Sequence, residues 1–281
     1  MRNFILLFTA TVALASSLLP AFAESHDIEF RKNGNPVRTL SVNELRSIVP
    51  DVSLEVFEAH ERQNRTYRAV PAREVFDSVF GKGWRQAQEI VFTSIDGFQP
   101  SIPVKKFLAH EGYLALAHVD GTPFTLTNRL QNDEVVPLGP LYLIWDNIGS
   151  KALLEAGASE MPYQLHRIEL KSKASFPNMI PPKDSPDRVR QGFRHFRQHC
   201  AACHTINGDG GGKAPELNYP VSITEYIQPE YLKRWIMKPQ SIRYNTLMPG
   251  LAKEAPDRGK VADDIIAYLK AMSLTKRAPA K

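Results

Sequence analysis

Apolar positions recur along the chain at two different periods. DIEF, EIVFTSI and LALAHV alternate or run apolar over a few residues and predict short strands. VNELRSIV, REVFDSVF and VKKFLAHE carry apolar residues three and four apart, which predicts short amphipathic helices. Turn dipeptides at Asn33-Gly34, Asp96-Gly97, Asp120-Gly121 and Gly139-Pro140 separate these elements at intervals that suit hairpins and short connections more than long crossover helices. An α+β, strand-rich domain is therefore expected over residues 24–173. The stretch KSKASFPNMIPPKDSP is rich in Pro, Ser and Lys and has no sustained period, so residues 174–186 are expected to form an exposed linker. Beyond it, Val189, Phe193 and Phe196 share one face of a helix that opens at Asp187. Val261, Ile265, Ile266, Leu269 and Met272 form the stripe of a last helix from about Pro256 to Ser273. Residues 187–276 are expected to be a second, all-α domain.

The first 23 residues begin with Arg2, run apolar from Phe4 to Leu19 and close in Ala21-Phe22-Ala23, the pattern of a signal peptide cleaved before Glu24. The competing reading is a retained anchor, because the run approaches the ~20 residues that span a bilayer. Export places the mature protein in the periplasm, an oxidising compartment, with no stable membrane insertion expected after cleavage. Charge adds little: 35 Lys and Arg stand against 30 Asp and Glu, a balance of +5 over 281 residues, and no basic cluster of a nucleic-acid binder is present. Only two cysteines occur, which excludes a disulfide-dense scaffold and any four-thiolate metal site within one chain.

Those two cysteines stand in Cys200-Ala-Ala-Cys203-His204, the attachment signature of c-type haem. The spacing has a physical reason. Sulfurs three residues apart on one turn reach the two vinyl groups of a porphyrin edge as thioethers, and the next residue offers its imidazole to iron. A thioredoxin-like dithiol would open a helix after a strand, whereas here a helix comes first, and no second ligand pair follows for zinc. An electron carrier needs a ligand on the opposite side of the ring. Met248, in a loop that Pro249 and Gly250 keep out of helix, is the candidate, whereas Met237 and Met272 lie on apolar helix faces that suit core filling. His195 and His199 precede the motif on its own helix and are expected to be surface or packing residues.

From Asp187 to Met272 the chain resembles the class I cytochrome c family. KAPEL, Lys213 to Leu217, is similar to the loop whose Pro carbonyl accepts the proximal imidazole proton, which implies that role for Pro215. YLKRWIMKPQSIRYNTLMPGL, Tyr231 to Leu251, is similar to the family's helix and distal Met loop, and DDIIAYLKAM to its closing helix. The likeness implies one covalent haem c, held by Cys200 and Cys203 with His204 and Met248 on the iron. Trp235 and Tyr244 are then candidates to touch the haem or a propionate, or else core aromatics. In the first domain, YRAVPAREVFDSVF, IVFTSIDGFQPSIP, LALAHVDGTPFTL and GPLYLIWDN resemble the molybdopterin-binding domain of the sulfite oxidase family. That family's metal-ligating Cys is missing, because residues 24–185 contain none. His60, His110, His118 and His166 lack partners at metal spacing, Asp96 and Asp120 are expected to form turns, and Trp84 and Trp145 to anchor the core.

The expected function is a periplasmic single-haem cytochrome that relays one electron, with an N-terminal domain that docks or positions it for a redox partner protein. Lys213, Lys233, Lys238 and Lys253 are candidates for a docking rim, or else a solvated charged face. Two alternatives stay open. One is a molybdopterin-type or other small-molecule oxidoreductase whose own haem takes the electrons, and the other is a haem-based sensor with a displaceable ligand.

Overall fold

The computed structural model describes residues 27–251 and 257–279, so the signal peptide expected over residues 1–23 lies outside the described residues. β1 (Ile28–Lys32) and β2 (Asn35–Leu40) form a hairpin across Asn33 and Gly34, whose φ angles of 49° and 86° are ones that Asn and Gly tolerate. α1 (Val42–Ile48) starts at Ser41, whose hydroxyl accepts from the Glu44 N–H while the Glu44 carboxylate accepts from the Ser41 N–H. There follow β3 (Val52–Glu58), β4 (Gln63–Pro71), α2 (Ala72–Phe80), β5 (Glu89–Ser94), β6 (Ser101–Pro103), α3 (Val104–Ala109) and β7 (Gly112–His118). β8 (Thr125–Asn128), β9 (Glu134–Pro137), β10 (Tyr142–Trp145), α4 (Lys151–Ala156) and β11 (Leu165–Lys171) complete the domain.

These strands build a five-stranded sheet in the order β2-β1-β11-β5-β6, a four-stranded sheet in the order β10-β7-β4-β3, and a separate β8–β9 hairpin. The pairings are antiparallel, as short connections require, except for one. β1 lies parallel to β11, with Phe30 opposite Ile168, so the first and last strands of the domain are bonded to each other. No local pattern announces that pair, because its partners are more than a hundred residues apart. The sheets enclose one apolar core that includes Phe76, Phe92, Phe107, Trp84 and Trp145, the last two as anchors.

The segment expected to be an exposed linker is exposed along much of its length, but a few buried residues pin it to the domains on either side. Ser175 donates its N–H to Glu89 at 3.0 Å, Met179 is fully buried in the second domain, and the Tyr268 hydroxyl donates to the Met179 carbonyl at 2.7 Å. Burial of these few anchors outweighs the polar composition around them.

The C-terminal region is largely helical. α5 (Asp187–His199) leads into the Cys-x-x-Cys-His turn, followed by the short pair β12 (Thr205–Ile206) and β13 (Asp209–Gly210), then α6 (Ile223–Tyr226), α7 (Pro229–Met237) and α8 (Arg258–Met272). α5 and α8 cross at Gly192, where the backbone of Asp264 comes closer than any side chain at position 192 would allow. Phe196, Ile265, Tyr268 and Leu269 fill a second core separate from the first. Among the described residues no helix is long and apolar enough to cross a membrane.

Candidate functional site

The attachment turn is a continuation of α5. Cys200 caps the helix by donating its N–H to the Phe196 carbonyl at 2.8 Å, and the N–H groups of Cys203 and His204 both donate to the Cys200 carbonyl, at 3.0 and 2.9 Å. Both thiols are free and half-buried. The return segment wraps this turn tightly: Gly211 donates to the Ala201 carbonyl and Ala214 to the Cys203 carbonyl, each at 2.9 Å. A Cβ at Gly211 would lie 1.9 Å from the Ala202 carbonyl oxygen, so only glycine allows that approach.

The same wrap brings Pro215 to His204. The imidazole Nδ1 sits 2.8 Å from the Pro215 carbonyl oxygen, which can only accept, so Nδ1 carries the proton and Nε2 presents a lone pair. Burial pulls the His204 pKa below its ordinary value, partly opposed by the Pro215 bond and the Glu216 charge, so the ring stays neutral at neutral pH. Burial pushes the Cys200 thiol up to about 12 and the Cys203 thiol up to about 11. Two half-buried thiols on one turn beside a tautomerically fixed imidazole form a donor set that fits a covalently attached haem.

Met248 is half-buried in an irregular loop. Its N–H donates to the Thr246 hydroxyl at 3.3 Å, and Asn245, three residues earlier, adopts φ of 56°. The far end of the loop is tied to α7. Leu251 donates to the Ile236 carbonyl at 3.1 Å, and the Arg258 guanidinium donates to the carbonyls of Met237 and Leu251 at 3.1 and 2.7 Å. Met272 is buried in the helical core and Met237 packs against it, both in filling roles. Trp235 is half-buried on α7, whereas Tyr244 is 95% exposed, which removes the core-aromatic reading for Tyr244. His195 shares a hydrogen bond with Gln191 and its ring stacks near His199.

The N-terminal domain takes part in this site, which residue patterns did not reveal. Gln99 donates its N–H to the Ala202 carbonyl at 2.7 Å, and Gly212 donates to the Gly97 carbonyl at 2.9 Å. Lys213 pairs with Asp96 at 2.6 Å, and on the neighbouring surface Arg197 of α5 pairs with Glu89 of β5 at 3.0 Å. Gly97 has φ of 85° and a Cβ there would come within 3.0 Å of the Gly212 backbone. Asp96 does form a turn, by accepting from the Phe98 N–H at 2.9 Å. The sequence signal was only that turn; its partner 117 positions away could not be read from it. Burial lowers the Lys213 pKa, but the Asp96 carboxylate outweighs it and the amine stays charged.

Of the other lysines considered for a docking rim, Lys233 pairs with Asp263 at 2.8 Å, Lys238 is exposed, and Lys253 lies outside the described residues. Lys213 is thus committed to an interdomain ion pair and is no free rim charge.

Inside the first domain, Glu58 accepts hydrogen bonds from the Tyr67 and Tyr142 hydroxyls, each at 2.8 Å, and from the His60 N–H at 3.0 Å. Burial raises the Glu58 pKa, but the His60 and Tyr67 hydrogen bonds more than offset it and the net shift is downward. His118 holds the Thr125 carbonyl at 2.9 Å and stacks on Tyr67, as a satisfied core histidine does. Among the described residues no group of three His, Cys, Asp or Glu side chains is placed to hold a metal ion.

Residues 189–273 match the model of the cytochrome c family, so the C-terminal region is a cytochrome c domain, while the N-terminal region carries no family assignment. No curated protein matches the chain. A cytochrome c domain implies covalent haem c and haem-based electron transfer, and Cys200, Cys203 and His204 supply the attachment motif.

Proposed function

We propose that this protein is a periplasmic single-haem cytochrome c that relays one electron, with its N-terminal domain positioning the haem domain for a redox partner protein. The observation that carries the reading is the Cys200–His204 turn with His204 Nδ1 held by the Pro215 carbonyl, which leaves Nε2 with a lone pair that would bind haem iron. Haem iron bound there supplies one-electron chemistry. The chain's own residues would do the rest: Cys200 and Cys203 would hold the ring, Pro215 fixes the tautomer and basicity of His204, and Met248 would offer a soft thioether that favours the reduced state.

Docking by the N-terminal domain is supported by its direct hydrogen bonds to the attachment turn. A domain that only trailed on a tether would not share backbone bonds with Ala202 and Gly212. The signal-peptide pattern supports the periplasm, where covalent attachment prevents loss of the haem.

The test is to express the full chain in cells competent for cytochrome maturation and measure polypeptide mass, metals and reduced and oxidised spectra. The reading expects one covalently added haem, a cleaved leader and a low-spin spectrum that carbon monoxide leaves unchanged. A colourless preparation with unmodified mass would overturn it. Molybdenum near one per iron, or haem reduction by a small substrate, would make the protein an enzyme rather than a relay.

A further inference from the structure

We propose that Gln131, in the turn between β8 and β9, is a positioning residue for Met248, so that the N-terminal domain governs how firmly the distal ligand is held. This rests on the reading of Met248 as the distal ligand. Gln131 Nε2 donates to the Leu247 carbonyl at 3.2 Å. That carbonyl belongs to the same peptide unit as the Met248 N–H, which donates to the Thr246 hydroxyl at 3.3 Å. One peptide plane is therefore held at both ends, and its orientation sets the direction from which the Met248 side chain departs.

The orientation of Gln131 is itself determined from inside the first domain. Asn128 is 3% exposed, and its carbonyl oxygen accepts from the Leu130 N–H at 3.1 Å. Its amide nitrogen consequently faces the other way and donates to the Tyr163 hydroxyl at 3.2 Å and to Gln131 Oε1 at 3.0 Å. With its oxygen taken by Asn128, Gln131 presents only its donor to the Met248 loop. A second contact repeats the bridge: Asn132 Nδ2 reaches Asn245 Oδ1 at 3.4 Å.

Adhesion between domains does not explain this bridge, because the ion pairs Asp96–Lys213 and Glu89–Arg197 and the backbone bonds at Gly97 and Gln99 already join them on the attachment side. The Gln131 and Asn132 contacts fall instead on the loop that carries the proposed ligand. Removing them leaves the loop tied to α7 at Leu251 but free to swing at Leu247.

The experiment uses the full-length, haem-loaded protein and its Gln131→Ala, Gln131→Ala/Asn132→Ala and Glu89→Gln variants, the last cutting an interdomain ion pair away from the Met248 loop. The affinity of the ferric protein for added imidazole, which must displace the thioether, is read together with hydrogen exchange at the Met248 amide. Loss of one or two modest hydrogen bonds predicts an affinity about five- to tenfold tighter in the double variant. The Met248 amide is expected to exchange faster, and Glu89→Gln to stay within about twofold of wild type for both readouts.

Unchanged imidazole affinity in the double variant, or an equal effect from Glu89→Gln, would overturn the proposal. A Met248→Ala variant separates the two assignments. If it binds imidazole no better than wild type, the ligand reading fails. Unchanged exchange at Met248 in Gln131→Ala refutes the bracing itself.

Discussion

Replacing Gly192 with alanine tests how the attachment turn is aimed. A methyl at that position would lie 1.9 Å from the Asp264 carbonyl oxygen, 2.6 Å from its carbon and 2.8 Å from the Tyr268 Cβ. Non-bonded carbon contacts prefer about 3.5 Å or more, so α5 and α8 would have to part by about 1.5 Å. Two of the three opposing atoms are backbone and cannot rotate away. A gap of about 1 Å already forfeits up to roughly half of the contact energy across a packed surface. Val189, Phe196, Ile265 and Tyr268 all lie in that core.

Overpacking costs about 1–3 kcal/mol, and a backbone collision belongs at the top of that range or slightly beyond it. Alanine's better helix propensity returns about 1 kcal/mol, which leaves a net loss of about 2 kcal/mol. In urea, with a slope of about 2 kcal/mol per molar, the unfolding midpoint followed by circular dichroism falls by about 1 M with the slope unchanged. Gly259→Ala is the internal control. It sits in the first turn of α8 with nothing within 4 Å of its Cβ, so it is expected to be neutral or stabilising. A Gly192→Ala midpoint equal to that of wild type would refute the claim that backbone contact at this crossing sets the direction of α5 and hence of Cys200.

His204→Ala is expected to abolish a normal low-spin haem spectrum, whereas Met248→Ala keeps the haem attached, lowers its reduction potential and admits carbon monoxide; spectra and redox titration check both. In a double-mutant cycle by urea unfolding, Asp96→Asn and Lys213→Met are expected to couple by about 1 kcal/mol, the value of a partly exposed ion pair. Burial raises the Glu89 pKa, but hydrogen bonds from Ser101 and Ser175 and the Arg197 charge outweigh it and hold it below its ordinary 4.5. Its stabilisation is therefore complete above that value and is lost as pH falls through the lower folded-state value, so Glu89→Gln flattens the acid limb of the stability profile. In the haem-free protein, Cys200 and Cys203 are held as thiols by pKa values near 12 and 11, and alkylation at neutral pH is expected to be slow until denaturant is added, as read by mass spectrometry.

Short-range features were legible from residue order. The hairpin at Asn33-Gly34, the helices over VNELRSIV, REVFDSVF and VKKFLAHE, and the closing helix up to Met272 all appear where local period and turn chemistry placed them. Met179 shows where that reasoning stops. It stands in a Pro-rich stretch with no sustained period, yet it occupies the helical core because Gly210 leaves room for its side chain and Tyr268 holds its carbonyl. His60 was similarly silent. Glu58 lies only two residues away, but Tyr142 comes from β10 and reaches it only when the sheet forms around β4 and β7.

What residue order determined was the chemistry of attachment. Cys200, Cys203 and His204 lie within one turn, and contacts that near in the chain are specified by backbone geometry alone. The tertiary structure decided what surrounds that turn: Asp96 beside Lys213, Gly97 against Gly212, and Gln131 against Leu247. Each of those pairs joins segments more than a hundred residues apart. Which distant segments meet is set by the folding of two separate cores and the way their surfaces fit, and no local period encodes that.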